Sequence, residues 1–163
     1  MEPGLTPRRP SEAGLPSQPT LWHHHSVSKT HGSDRLRGLD TALAEVMAGA
    51  QGFGHREHVH LAWLACRSKG SDAGEVLCSW LQEIAERHDM PQRYHRTLTL
   101  AWVELTKRHL DRDTGEAGFT GFISRNPGLL DSGLPAVHWK SRTLAGQLAR
   151  NEWVSPDRLP LPA

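Results

Sequence analysis

The chain has 163 residues, enough for one domain with a sizeable hydrophobic core. Its 19 Lys and Arg residues against 18 Asp and Glu residues give a formal charge of +1, which excludes the broad basic surface expected of a nucleic-acid-binding or membrane-surface protein. The sequence contains neither a long apolar run typical of a membrane span nor a signal-peptide pattern. Its two cysteines, Cys66 and Cys78, lie in predicted helices on apolar faces, so we expect reduced thiols and a cytoplasmic protein.

Residues 1–33 are predicted to be a disordered tail because they contain five prolines and many Gly, Ser and Thr residues without a hydrophobic period. The tail includes His23-His24-His25 and His31. A flexible segment gives such histidines no fixed geometry, so we expect a solvated tail and not a metal site. Residues 34–163 are expected to form one helical domain.

Four main helices are predicted from apolar residues that recur at three- and four-residue steps. The first covers about 35–48. The second covers about 55–68 and is expected to end where Gly70 adopts a left-handed conformation. Ser71 or Asp72 is expected to cap the third, which continues to His88. The fourth is predicted over Gln92–Leu110, with Pro91 in its first turn.

The C-terminal third predicts shorter elements. A brief helix is expected at Phe119–Ile123 and a turn at Gly128–Asp131 that carries Leu129 and Leu130 inward. A last helix, Arg142–Asn151, is expected to begin at a Ser141 cap and to place Leu144 and Leu148 on one side. Its start would suit an anionic group, and a solvated helix start is the alternative. The segment from Trp153 onward should run extended over the bundle. The fold class predicted is therefore all-α: a single-domain bundle of four main helices plus short helices.

Histidines on two of these helices mark the candidate site. In the segment GHREHVHLAWLAC, 54–66, winding at 100° per residue turns His55 and His58 toward the core, while Glu57 and His60 point away. On the fourth helix, His95 shares the inward stripe with Thr99 and Trp102. If the second and fourth helices are neighbours, the three inward histidines meet across their contact.

Three imidazoles that converge between two helices could bind a transition metal. Histidines on facing helices of a bundle often hold Fe, Cu, Zn or Mn. The metal ligands would be His55, His58 and His95, and the four metals are not distinguishable. The spacing His-x-x-His is a weak signal in a chain with 11 histidines. The alternative is that the three histidines are core residues satisfied by hydrogen bonds to threonines, Glu104 or backbone carbonyls.

A second interpretation keeps the histidines without a metal. A buried imidazole near Tyr94 and Thr99 would act as a general base on a small-molecule ligand, in an apolar pocket with walls formed by Trp63 and Trp102. The main hypothesis is therefore a small cytoplasmic enzyme of unassigned reaction, with Tyr94 or Thr99 in support of the histidines. The alternative is a non-catalytic helical partner or regulatory module. The oligomeric state stays open.

Two motifs resemble a family of small all-helical bacterial proteins without an assigned function. Members read Phe-x-His-x-x-His-Leu-x-x-Ala-Trp and Tyr-His-x-Thr-x-Thr, and the resemblance covers about 36–160. The matching positions are Phe53, His55, His58, Trp63, Tyr94, His95, Thr97 and Thr99. This chain departs at Val59, where the family has leucine, and at His138-Trp139. The resemblance implies a shared polar site and is compatible with specialised metabolism, but it names no reaction.

Overall fold

A computed structural model describes residues 36, 38–115 and 118–162, so the predicted tail, 1–33, lies outside the described residues. The described part of the chain forms eight α-helices and contains no β-strand, which confirms the all-α fold class. The helices are α1 (Leu39–Met47), α2 (His55–Lys69), α3 (Ala73–Arg87), α4 (Arg96–Arg112), α5 (Phe119–Arg125), α6 (Pro135–His138), α7 (Ser141–Leu144) and α8 (Gln147–Asn151). Three 3-10 turns occur at Gly70–Asp72, Pro91–Arg93 and Pro127–Leu130. None of the described helices is both long and apolar enough to cross a membrane.

Helix α2 is central because it packs against α1, α3, α4 and the turn at Pro127–Leu130. Its small residues Ala62 and Ala65 are fully buried, which allows neighbouring helices to approach closely. Apolar side chains fill one core around α1, α2 and α3, and a second between α2, α4 and α5. The first turns of α2 and α4 both contribute residues to the lining of one cavity.

The second and third helices agree with the sequence, whereas α1 begins at Leu39, after Gly38 with a φ of 92°, and not at about residue 35. Gly70 has a φ of 54°, a conformation that favours glycine, and α2 ends there as predicted. Asp72 stands at the N-cap position of α3, but its side chain makes no capping hydrogen bond.

The predicted start of the fourth helix is wrong. Pro91 begins a separate 3-10 turn, Tyr94 and His95 have extended backbones, and α4 starts only at Arg96. The reason is a side-chain cap, because the ring of His95 accepts the backbone N–H of Leu98 and fixes the first turn one residue after itself. His95 is therefore the residue before the helix and not a member of its inward stripe.

The C-terminal third differs from its prediction in three places. The last predicted helix is two short ones, α7 and α8, because Gly146 is extended between them. Leu148 is 61% exposed, so it does not share a buried side with Leu144, and Leu130 is 41% exposed, so only Leu129 points inward. The predicted anion site at the start of α7 is occupied by the protein itself, since Asp157 accepts the backbone N–H of Lys140 at 2.8 Å.

The final segment runs without a helix over the bundle, as predicted. The hydroxyl of Thr97 donates to the carbonyl of Glu152 at 2.6 Å and accepts the N–H of Val154 at 3.1 Å. The indole of Trp139, which is fully buried, donates to the carbonyl of Val154 at 2.9 Å. These bonds hold the C-terminal segment against the start of α4.

Candidate functional site

The candidate site is a cavity of about 600 Å³ between α2, α3 and α4. The first turns of α2 and α4 and the C-terminal half of α3 form its walls. This volume lies within the roughly 300–1,000 Å³ in which proteins bind small organic molecules. The structure brings all the sequence-predicted site residues to this cavity, namely His55, His58, Tyr94, His95 and Thr99.

His55, the first residue of α2, is held by a distant part of the chain. Its Nε2 lies 3.0 Å from the carbonyl oxygen of Leu129. A carbonyl can only accept, so Nε2 carries the proton and donates, and the neutral ring keeps its lone pair on Nδ1. The imidazole also packs on the indole of Trp102, with 4.5 Å between ring centroids. These two contacts fix both the position and the tautomer of His55.

His58, one turn further along α2, is the opposite tautomer to His55. Its Nδ1 donates to the carbonyl of Gly54 at 2.9 Å, so the lone pair of the neutral ring is on Nε2. The edge of Phe53 packs against the imidazole with 4.6 Å between centroids, so the residue before the helix covers its first turn. Within the described part of the chain, Nε2 of His58 has no hydrogen-bond partner.

The surroundings of His58 keep its ring neutral. Burial lowers the pKa of His58 below its ordinary value of 6.5, and the neighbouring His55 lowers it further. The Gly54 carbonyl and the Glu57 carboxylate act in the opposite direction but are outweighed. At pH 7 His58 therefore presents a basic lone pair and no charge.

His95 has a structural role in addition to lining the cavity. Its Nδ1 accepts the N–H of Leu98 at 3.3 Å, and its Nε2 donates to the carbonyl of Leu144 at 2.8 Å. Both nitrogens are thus engaged, one as acceptor and one as donor, which defines a neutral imidazole. His95 joins the start of α4 to the end of α7.

The three predicted metal ligands do not form a ligand set in this structure. Among the described residues, no group of three or more His, Cys, Asp or Glu side chains is arranged to hold a metal ion. A histidine binds a metal through a ring lone pair, and the lone pair of His95 accepts the Leu98 N–H. Of the three predicted ligands, only His55 and His58 have a ring lone pair that does not accept a backbone hydrogen bond. A bound metal stays a prediction for direct measurement.

Tyr94 and Thr99 both line the same cavity. The Tyr94 hydroxyl is buried near the Cys78 thiol and the Arg96 guanidinium, but it has no hydrogen bond of ordinary geometry to any described residue. Burial raises the pKa of Tyr94, so the hydroxyl stays protonated and able to donate. Thr99 donates to the carbonyl of His95 at 3.0 Å, which leaves its oxygen as an acceptor.

The walls differ from the prediction at two points. Trp102 lines the cavity, but Trp63 does not, because it packs against Phe119 and Phe122 in the second core. The missing wall comes from α3 and includes Leu77, Leu81, Ile84 and Ala85. The sequence shows α3 as an amphipathic helix, and nothing in its pattern distinguishes side chains that face a cavity from those that face solid packing.

His60 is not the outward residue that the helical winding predicts. Its side chain is only 11% exposed, and its ring stacks on Phe119 with 4.0 Å between centroids and 6° between planes. Burial lowers the pKa of His60 despite Glu45, whose carboxylate lies 3.6 Å from Nε2. Helical winding does not predict the burial of His60, because it does not show that α5 packs on the side of α2 that carries His60. His60 does not line the cavity.

Comparisons with known proteins do not assign this chain to a family. No family model matches the chain, and neither a curated protein nor a solved structure matches it. The resemblance to the bacterial family with the two histidine motifs therefore stays a prediction. The functional argument depends on the cavity and on the hydrogen bonds that orient its side chains.

Proposed function

We propose that this protein is a small enzyme that binds an organic substrate in the cavity between α2, α3 and α4 and uses His58 as a general base. One observation carries the proposal: in a cavity of small-molecule size, a neutral imidazole is oriented by a backbone carbonyl and presents its basic nitrogen without a partner among the described residues. A general base requires this combination of fixed orientation and available lone pair.

The chemistry supported is transfer of a proton from the substrate to Nε2 of His58. The Gly54 carbonyl accepts from Nδ1–H, so the imidazolium formed keeps this hydrogen bond while the substrate retains the electron pair. Tyr94 lines the same cavity and keeps a protonated hydroxyl, and in this proposal it would donate to negative charge that develops on the substrate. Thr99 would orient the substrate as an acceptor.

The alternative is a non-catalytic regulatory module with a ligand-binding cavity. The observation that favours it is that His55, His58 and His95 all bind backbone carbonyls, as structural histidines do. In either case both cysteines are thiols and not disulfide partners, which supports our placement of the protein in the cytoplasm.

A turnover experiment separates the enzyme from the module. The wild-type protein, His58→Gln and the matched control His109→Gln are incubated with a cytosolic metabolite extract, and consumption is followed by mass spectrometry. His109 does not line the cavity, and its ring forms a hydrogen bond with the side chain of Asn126. We expect a compound consumed by wild type and by the control but at least about 100-fold more slowly by His58→Gln, the usual contribution of a general base. Equal consumption by all three, or by none, contradicts the proposal.

A chemical measurement tests the imidazole itself. Diethyl pyrocarbonate acylates the lone pair of a neutral histidine, so peptide mapping should find His58 modified and His95 unmodified in the folded protein. Because burial lowers the pKa of His58, the modification rate of His58 should have its midpoint below pH 6.5. An unreactive His58 would contradict its role, provided that the exposed His88 is modified in the same sample.

A further inference from the structure

The lining of the cavity, in the part of the chain that the structure describes, contains one permanently charged side chain. Its lining contains a single arginine, Arg93, and four histidines, and among the described residues it contains no Asp or Glu. Arg93 lies on the turn Pro91–Arg93 with an exposed side chain, and it forms no ion pair with any residue that the structure describes. Four other arginines that the structure describes pair with carboxylates, among them Arg87 with Asp40 and Arg125 with Asp113. Arg93 is therefore a cation at the cavity with its charge available.

The backbone that carries Arg93 is held in place. Arg150 of α8 donates to the carbonyl of Gln92 at 2.8 Å and to that of Tyr94 at 3.3 Å, on both sides of Arg93. The guanidinium of Arg150 is engaged by these two hydrogen bonds. The guanidinium of Arg93 forms no such bond to either carbonyl. A fixed backbone reduces the conformational entropy that Arg93 loses when it binds a ligand.

The remaining walls are apolar. Leu81 and Ile84 of α3 and Leu98 and Trp102 of α4 supply hydrocarbon and aromatic surface. The first turns of α2 and α4 also meet here, and the N-terminal end of a helix carries partial positive charge. The cavity thus combines an apolar interior with positive potential and a guanidinium that has no carboxylate partner among the described residues.

We infer that the ligand of this cavity is a small organic monoanion, with an aliphatic or aromatic body against α3 and α4 and a carboxylate that binds Arg93. The inference rests on the proposed function, because it names the substrate class of the same cavity. A single arginine matches the charge of one carboxylate, which the planar guanidinium binds through two parallel hydrogen bonds. A phosphate ester, with nearly two negative charges, would call for a second cation.

Three probes of similar shape and different charge test the inference by isothermal titration calorimetry at pH 7.5: 2-naphthylacetate, 2-naphthylethanol and 2-naphthylethylamine. We expect the acid to bind the wild-type protein about tenfold more tightly than the alcohol, and the amine to bind most weakly. In Arg93→Gln the acid should bind only as tightly as the alcohol, while the affinity for the alcohol is unchanged. The matched control Arg142→Gln, an exposed arginine outside the cavity, should behave as wild type.

The outcomes separate this inference from the proposed function. If acid and alcohol bind equally, or if Arg93→Gln keeps the preference for the acid, the anion inference is overturned and ligand binding stands. If none of the probes binds, the proposed function loses its binding site. A further variant, Ala85→Phe, fills the cavity and should lose all binding while its circular dichroism is unchanged. Retention of acid binding by Ala85→Phe would place the acid elsewhere and overturn the inference.

Discussion

His95 illustrates how much of a residue's role depends on contacts far away in the sequence. Helical periodicity predicts that His95 faces the second helix, and it does line the cavity. Its hydrogen bonds are not visible in that pattern, because its acceptor, the Leu144 carbonyl, lies 49 residues further along the chain. The same holds for His55 and the Leu129 carbonyl, 74 residues away. Local periodicity therefore predicted which of these residues line one cavity, although His95 precedes its helix, but it could not predict the tautomers or the available nitrogens.

We predict that His95→Ala destabilises the fold and leaves the metal content of the protein unchanged. Loss of the cap of α4 should cost about 1 kcal/mol, and loss of the bond to Leu144 about 1 kcal/mol more. His95→Asn should recover the cap, because asparagine is a good N-cap residue. Urea unfolding measures both variants, and elemental analysis of protein without an affinity tag measures the metal. About one metal per chain in wild type and none in His95→Ala would instead support the three-histidine site.

At the scale of helices, the end of α2 at Gly70 is predicted well, whereas the start of α1 after Gly38 and the ends set by side-chain or tertiary contacts are not. Gly70 ends α2 as expected, because its positive φ is a local property of glycine. Pro91 suggested a helix start, but the cap of His95 and the bonds from Arg150 keep the segment before α4 extended. The break between α7 and α8 was missed because nothing local demands it.

We predict that Gly70→Ala costs about 1–2 kcal/mol in the free energy of unfolding, since alanine is strained at a φ of 54°. No atom lies within 4 Å of the position that a Cβ would occupy, so the cost is conformational and not steric. Gly52→Ala is a matched control, because Gly52 also has open space around it and does not have a positive φ. The control should change stability by less than about 0.5 kcal/mol. Equal effects in chemical denaturation would show that backbone strain at Gly70 is not the cause.

For the whole molecule, buried histidines make stability depend on pH in a defined direction. Burial lowers the pKa of His58 and of His60 below 6.5 in the folded state, so near that pH the unfolded chain binds more protons than the native protein. The stabilisation that results from neutral burial is complete above pH 6.5 and is lost as the pH falls through the lowered values. Asp113 and Asp157, whose pKa values are held below 3.8 by hydrogen bonds, stay ionised in this window.

We therefore predict that the free energy of unfolding decreases between pH 7.5 and pH 5. The decrease should be smaller in His58→Gln and in His60→Gln, and smallest in the double variant, because a glutamine does not titrate. Urea unfolding at half-unit pH intervals provides the measurement. A double variant that loses as much stability as wild type over this range would assign the dependence to other groups.

The hydrogen bonds from His55 to Leu129 and from His95 to Leu144 also determine when the site is completed during synthesis. Helices α1 to α4 contain the first of the two cores, and its contacts can form while the chain is still being made. Both carbonyls belong to the C-terminal third, which leaves the ribosome after helices α1 to α4. Contacts between residues far apart in sequence form slowly. A nascent or truncated chain can thus acquire its helices and still lack the acceptors that orient both rings.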